Sequence, residues 1–455
     1  MRIFLRREAE PLTKENRGTL TVFATYVTSN ILGMIGLSCY ILADTFFIAR
    51  GCGAAGLTAL NLALPAYSLM HGLGLMVGMG GATRYAIAQA GDRTARQNVF
   101  SHALFLAALM SVPFLAAGLA APRPFAALLG ADGAVIGMTV EYLRTLLLFA
   151  PAYFLNNLVL AFLRNDGAPR LAMAAMLSGS IANIFLDYLF IFPLGMGMFG
   201  AALATGIAPC IGLAVQSLHF LRGKNGFSPR RTLPDVRQAL GILSLGASSF
   251  VLELSSGVVL LTFNMLLLRI SGNVGVAAYG VVANIALVVI ALFTGVAQGM
   301  QPVLSGCFSR GEHGSAALVY RAAVVTALVL AAAAWLLGSL FAGPVVSLFN
   351  REGDRELARL AVSGIRIYFV SFPFAGINIV TAAAMSAVVR PREGFLISIL
   401  RGLVVMLPMA AGLAALFGTA GVWASVPAAE AVVLLLLPLI FRMGSKAGPD
   451  FSPLD

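Results

Sequence analysis

RGKNGFSPRRTLPDVR, residues 222–237, is the longest polar connection in the chain and the stretch on which the fold turns. It mixes glycine, proline and charge, the composition of a solvated connection. Six long apolar runs precede it, at about 19–43, 56–82, 98–121, 138–161, 171–194 and 199–221. Six more follow, at about 240–268, 278–303, 318–341, 364–388, 395–417 and 422–441. At about 20 residues, each run is long enough to cross the hydrocarbon core of a bilayer. No water is present there to satisfy backbone N–H and C=O groups, so the runs are read as helices. The 455 residues are 59% hydrophobic and 11% charged, against about 25% charged in soluble domains. The mean hydropathy is +0.90. The sequence predicts an all-α polytopic membrane protein of twelve transmembrane helices. Its divisions are a tail at 1–18, a first half at 19–221, the linker at 222–238, a second half at 239–442 and a tail at 443–455.

The formal net charge of +11 would suit a nucleic-acid partner, but its distribution argues against one. If the N-terminus is cytoplasmic, 22 of the 30 Lys and Arg residues fall on the inner side, from Arg2, Arg6 and Arg7 to Arg442 and Lys446. Eight fall outside, among them Arg50 and the group from Arg351 to Arg366. That split is the positive-inside bias, so the basicity reports topology. Both termini and the linker are expected in the cytoplasm. Cys39, Cys52, Cys210 and Cys307 form no CxxC pair and sit near no histidine at ligand spacing, so neither a metal site nor a disulfide framework is indicated. The first run is too long for a signal peptide and lacks a small-residue cleavage site.

The two halves repeat. An offset of 219 carries Gly53 to Gly272, Gly56 to Gly275, Ala59 to Ala278 and Gly80 to Gly299. An offset of 220 carries Gly91-Asp92 to Gly311-Glu312. Six helices return the chain to its starting side, so the repeats are parallel, related by an axis along the membrane normal. In HGLGLMVGMGG, residues 71–81, Gly74 and Gly78 at four-residue spacing read as close helix packing. His71 beside them reads as a packed or interfacial histidine.

Four carboxylates lie inside apolar runs: Asp44, Asp187, Glu253 and Glu430. An ionisable group at bilayer depth is costly and marks a functional site by default. Asp44 lies at the outer end of the first helix. Asn183 and Asp187 lie past the middle of the fifth, four apart and so on one face. Thr205 lies in the first two turns of the sixth. These four reach one level in the outer half of the first lobe. Two carboxylates, an amide and a hydroxyl suit a hard cation such as Na⁺, or a proton. The bland alternative is four separate buried polar residues. Glu253 sits alone near the middle of the seventh helix, as a second cation or substrate-charge site or as a structural acid. Glu430 can snorkel, or pair with Arg401 across the last two helices. The cluster NREGDRELAR, residues 350–359, reads as a solvated outer helix.

These residues sit in recognisable surroundings. LADTFFIARGCG, GLGLMVGMGGATRYAIAQAGD, FLRNDGAPRLAM, SIANIFLDYLFIF, GMGMFGAALAT, ELSSGVVLLTFN, GVAAYGVVANIALVVIALFTGVAQGMQPVLS and GVWASVPAAE all resemble the multidrug and toxic compound extrusion (MATE) family, in its MepA-like branch. The resemblance runs from about Leu20 to Leu439. It implies two six-helix lobes around a central cavity, and export of organic cations and other amphiphiles in exchange for Na⁺ or H⁺. It places the family's cation-site residues on Asp44, Asn183, Asp187 and Thr205, and the seventh-helix glutamate on Glu253. Some relatives carry a further aspartate in the tenth helix. Here that region reads FAGINIVTAAAMS, with Asn378 as its nearest polar residue.

The expected function is therefore a Na⁺- or H⁺-coupled antiporter for amphiphilic or cationic drugs, acting as a monomer, with no catalytic residues and no cofactor beyond the coupling ion. Asp44, Asn183, Asp187 and Thr205 are the expected cation ligands. Glu253, Asn378 and Glu430 are candidates for a substrate site or second cation site. The rival readings are a flippase for a lipid-linked saccharide, a channel, and an intramembrane enzyme with Asp44 and Asp187 as paired acid and base. No pore-filter motif, metal triad or nucleophile–base motif supports the last two.

Overall fold

The computed structural model describes residues 14–88, 93–131, 133, 135–223, 225–230, 235–349 and 354–446. Several sequence readings fall outside these: most of both tails, the Gly91-Asp92 half of one repeat match, linker residues 231–234, and the start of the outer cluster at 350–353.

The described residues are helical, with no strand among them. The first half holds α1 (Lys14–Gly51), α2 (Gly53–Ala88), α3 (Arg93–Ala120), the short α4 (Pro122–Leu128), α5 (Ile136–Leu148), α6 (Ala150–Asn165), α7 (Pro169–Ile191) and α8 (Gly197–Leu221). The second half holds α9 (Val236–Gly272), α10 (Val274–Ser309), α11 (His313–Phe349), α12 (Arg355–Tyr368), α13 (Phe372–Ala387), α14 (Pro391–Ile399) and α15 (Met406–Lys446). Ten helices or joined helices are long and apolar enough to span a membrane, and the bent pair α5/α6 makes an eleventh. One of the ten, Pro391–Arg442, is 52 residues long and breaks at Gly418, so it accounts for two crossings and brings the total to twelve.

The fourth apolar run is not a straight helix. It bends by 48° at Phe149, where Pro151 opens α6. The tenth crossing begins earlier than its apolar run, because the amphipathic α12 leads into it. Asp354 caps α12, accepting from the N–H groups of Glu356 (2.8 Å) and Leu357 (3.1 Å).

The repeat offset has a backbone counterpart. Gly53 and Gly272 both adopt positive φ, 68° and 62°, where α1 turns into α2 and α9 into α10. Gly197 and Gly418, φ 55° and 59°, do so before the sixth and twelfth crossings. A left-handed residue breaks a helix sharply, and only glycine takes that conformation without strain.

Two apolar cores result. One draws on α1 to α8, and the other on α9 to α15. Each takes a few residues from the opposite half: Phe23 and Val27 of α1 join the second core, and Ile242 of α9 joins the first. These exchanges lie at the end of the molecule that carries the linker. There a Cβ on Gly80 of α2 would collide with the carbonyl of Ile242, and one on Gly246 of α9 with that of Met76. On the other side of the pseudo-axis, a Cβ on Gly299 of α10 would lie 2.7 Å from Val27 Cα, and one on Gly295 would lie 2.9 Å from Ile31 Cα. Gly80 and Gly299, equivalent in the repeat, thus make equivalent close approaches across the two halves. Arg84 Nε adds a hydrogen bond to Gln238 Oε1 at 2.7 Å. Among the described glycines, no such approach between the halves occurs beyond mid-height, marked by Gly72 and Gly257.

The linker is less free than its composition suggests. Phe227 is fully buried, with its ring 4.7 Å from Phe100 and 5.3 Å from Phe162. Asp166 holds the adjacent backbone. It accepts from Gly226 N–H (2.7 Å) and Tyr85 Oη (2.7 Å), and pairs with His219 Nε2 (2.8 Å). The N–H of Arg230 donates to Ser101 Oγ (2.8 Å), and that of Asp235 to His102 Nε2 (3.2 Å).

Candidate functional site

α1, α7 and α8 bring Asp44, Asn183, Asp187 and Thr205 together. Asn183 and Asp187 share one face of α7 at four-residue spacing, and both are fully buried. Asp44 and Thr205 are nearly so, at 7% and 4% exposure. The Asp44 and Asp187 carboxyl groups face one another, close enough to interact directly. The Asn183 amide satisfies both its ends when Nδ2 donates to Asp187 Oδ2 (3.0 Å) and its oxygen accepts from Thr205 N–H (3.3 Å). Tyr153 of α6 fixes the same turn of α8 by donating from Oη to Thr205 O at 2.8 Å.

Three oxygens remain buried with no hydrogen-bond partner: Asp44 Oδ1, Asp187 Oδ1 and Thr205 Oγ1. Buried polar atoms are nearly always satisfied. These three oxygens, two of them on carboxyls, form a set of oxygen donors on adjacent helices. A Na⁺ takes oxygen ligands of this kind. A proton held between the two carboxyls relieves their repulsion equally well.

A polar aromatic wall that the sequence reading missed leads away from this pocket. Tyr40 and Tyr67 hydroxyls lie 3.2 Å apart. Tyr67 stacks on His71 with centroids at 5.5 Å and meets Tyr153 edge-on at 5.8 Å. Asn157 Nδ2 lies 3.3 Å from His71 Nδ1. Gly74 and Gly78 admit Asn157, whose Nδ2 would lie 2.9 Å from a Cβ at Gly74. The readable signal was spacing: Tyr40–Asp44, Tyr67–His71 and Tyr153–Asn157 are each four apart, hence on one helix face.

The second-half candidates separate into two places. Glu253 of α9 is half-buried at mid-height, and its Cβ and Cγ would lie 3.3 and 3.4 Å from a Cβ on Gly72 of α2. It makes no ion pair with any described residue. Glu430 and Asn378 lie elsewhere, in a separate buried network that leaves Asn378 Oδ1 without a hydrogen-bond partner. Arg401 donates from Nη2 to Glu430 Oε1 (2.5 Å) and from Nε to Oε2 (3.3 Å). Asn378 Nδ2 donates to the same Oε2 (2.7 Å) and to the Glu430 carbonyl (2.9 Å). Arg401 sits in a π-helical turn, Leu400–Val404, joining α14 to α15. The extra residue of such a turn re-aims its side chains. The Glu430 charge is thus matched inside the second half. Among the described residues, no group of three His, Cys, Asp or Glu side chains forms a metal cluster.

The MatE family model matches the chain twice, over residues 30–189 and 249–411. The chain belongs to the MatE family. The two matches begin 219 positions apart, the offset that aligns Gly53 with Gly272. Among curated relatives, the multidrug export protein MepA of Staphylococcus saprophyticus is 26% identical over 404 residues, covering 88% of each chain. MepA of Staphylococcus aureus is 25% identical over 419 residues, covering 91% of this chain and 92% of that one. Among solved structures, the outward-facing conformation of a multidrug resistance MATE transporter of the MOP superfamily superposes with TM-score 0.88 at 24% identity, over 97% of this chain and 99% of that one. A MOP-superfamily transporter from Pyrococcus furiosus, described as having a binding pocket of reverse polarity, gives TM-score 0.86 at 25% identity, over 96% and 99%. The MATE fold of this chain is thus seen both in the sequence match and in the whole-chain superposition.

Proposed function

We propose that this chain is a Na⁺- or H⁺-coupled antiporter that exports amphiphilic or cationic drug-like compounds across a bacterial cytoplasmic membrane, with both termini and the linker in the cytoplasm. The observation that carries this reading is the pocket of Asp44, Asn183, Asp187 and Thr205, with its facing carboxyls and three unpartnered oxygens. Its relatives are named as multidrug exporters, and it shares nearly their whole length. Closure at the linker end, with no approach between the halves beyond mid-height among the described glycines, supports an outward-facing state. Cation and substrate then use the intervening space alternately. Glu253 faces that space without a counter-charge and supplies an anchor for positive substrates.

The test is drug export in proteoliposomes with Na⁺ and H⁺ gradients imposed separately. Export should follow one of the two gradients. Asp44→Asn and Asp187→Asn should each abolish it in protein that still folds. Thr205→Ala should be milder, because it removes one neutral ligand. A ligand that binds only the native state raises its stability, so the same aspartate variants should lose the cation- or pH-dependent rise in melting temperature. Wild-type protein that exports under neither gradient, or aspartate variants that export normally, would overturn the reading.

A further inference from the structure

Arg164, near the end of α6, is 4% exposed, and a guanidinium stays charged at any physiological pH. Its Nη1 donates to Gln298 Oε1 at 2.8 Å and its Nη2 to Met176 Sδ at 3.2 Å. Its Nε is buried with no partner. Both acceptors are neutral. No carboxylate among the described residues pairs with Arg164, and nearby Asp166 is engaged by Tyr85, His219 and Gly226. A buried charge without a counter-ion is costly, and a neutral side chain of similar size would fill the space without that penalty.

Its location gives the charge a use. Gln298 belongs to α10 and lies between Gly295 and Gly299, the two glycines against which α1 packs. Met176 Sδ also fills the space beside Gly33 of α1, 2.8 Å from where its Cβ would be. The guanidinium therefore stands where α1, α6, α7 and α10 meet, inside the seal at the linker end. Met176 and Asp187 are eleven residues apart on α7, roughly 16 Å along the axis. The seal thus lies between the Asp44–Asp187 pocket and the linker side.

We propose that Arg164 is an electrostatic barrier to cations, stopping Na⁺ or H⁺ from slipping through the closed linker-end seal while the pocket is open to the far side. A fixed positive charge in a low-dielectric constriction repels cations strongly, and arginine excludes protons from water pores in this way. Gln298 holds the guanidinium in place without cancelling its field. A carboxylate there would hold it as well but would erase the barrier. The inference rests on the cation-coupled reading above.

The test uses the full-length protein in liposomes without drug, with Na⁺ or H⁺ gradients and a chloride gradient applied in turn. Arg164→Met should raise the cation leak about tenfold and leave chloride flux unchanged. Arg164→Lys should remain tight. Gln298→Glu keeps the arginine but neutralises its field, so it should leak cations too. It also decides the matter if Arg164→Met fails to fold. A tight Gln298→Glu or a tight Arg164→Met overturns the proposal. So does an Arg164→Met that passes cations and chloride alike, since that describes a steric plug. Drug export by wild type in the same liposomes reports separately on antiport: its absence, with the leak pattern intact, would defeat that reading alone.

Discussion

The membrane-embedded carboxylates have opposite surroundings, and those surroundings separate their roles. Glu430 is matched by Arg401 and Asn378 in a buried network. Removing one partner of such a pair leaves the other buried and unpaired, at a cost of about 3–5 kcal/mol. Glu430→Gln should therefore lower the melting temperature of purified protein sharply, and Arg401→Met combined with Glu430→Leu should recover most of the loss. A Glu430→Gln protein as stable as wild type, yet unable to export, would instead move Glu430 into the transport path. Glu253 has no such partner and packs beside Gly72 of α2 across the junction of the halves. Glu253→Gln should weaken export of cationic drugs more than of neutral ones, measured as competing substrates in one preparation. Equal loss of both would assign it a structural role. At this scale the sequence was half legible. Helical spacing and crossing direction placed Asp44, Asn183, Asp187 and Thr205 at one level, and the structure brings them together. The wall of Tyr40, Tyr67, His71, Tyr153 and Asn157 showed only as four-residue spacings, because tyrosine in an apolar helix reads as ordinary packing until its neighbour is known.

Between helices, the decisive residues are glycines. Gly80 and Gly246 let α2 and α9 touch backbone to backbone at the linker end, and Gly295 and Gly299 do the same for α10 against α1. A valine at Gly246 would drive its Cβ into the Met76 carbonyl, backbone that cannot rotate aside. Gly246→Val should wedge the linker end apart and shift the protein toward the state open on that side. Paired spin labels on α2 and α9 near the linker would report a longer distance and a broader distribution than in wild type. An unchanged distance would show that the seal is held elsewhere. The repeat offset was visible in the letters, and the left-handed φ of Gly53 and Gly272 gives it a structural basis. What each glycine admits was not visible, because the absence of a side chain carries no information about which neighbour approaches. The bend at Phe149 and the π-helical turn around Arg401 were illegible for a related reason: tertiary packing imposes both on sequences that read as plain apolar helix. The linker misled in the other direction. Its polar letters hid Phe227, which the aromatic cluster of Tyr85, Phe100, Phe162 and Phe220 buries.

For the whole molecule, charge and closure bear on the same end. The 22 basic residues assigned to one side include those of the linker, and the linker end is where the halves meet. If that side is the cytoplasm, the halves meet at the inner end, as the proposed outward-facing state requires. The orientation can be read with single cysteines once Cys39, Cys52, Cys210 and Cys307 are replaced, since all four are free thiols and two are exposed. A cysteine at Arg222, the first residue of the linker, should react with an impermeant thiol reagent only in inside-out vesicles. One at Asp354, which caps the outer amphipathic helix, should react only in intact cells. A third, at Val27, tests the seal itself. Val27 is 4% exposed where Gly299 packs against α1. It should stay unlabelled from either side in this state, then react from the linker side in inside-out vesicles once Gly246→Val is added. Labelling of Arg222→Cys in intact cells would invert the topology and make the sealed end exterior. Val27→Cys reactive in the parent background would mean that the linker end is not closed, and that the transporter rests in the opposite state.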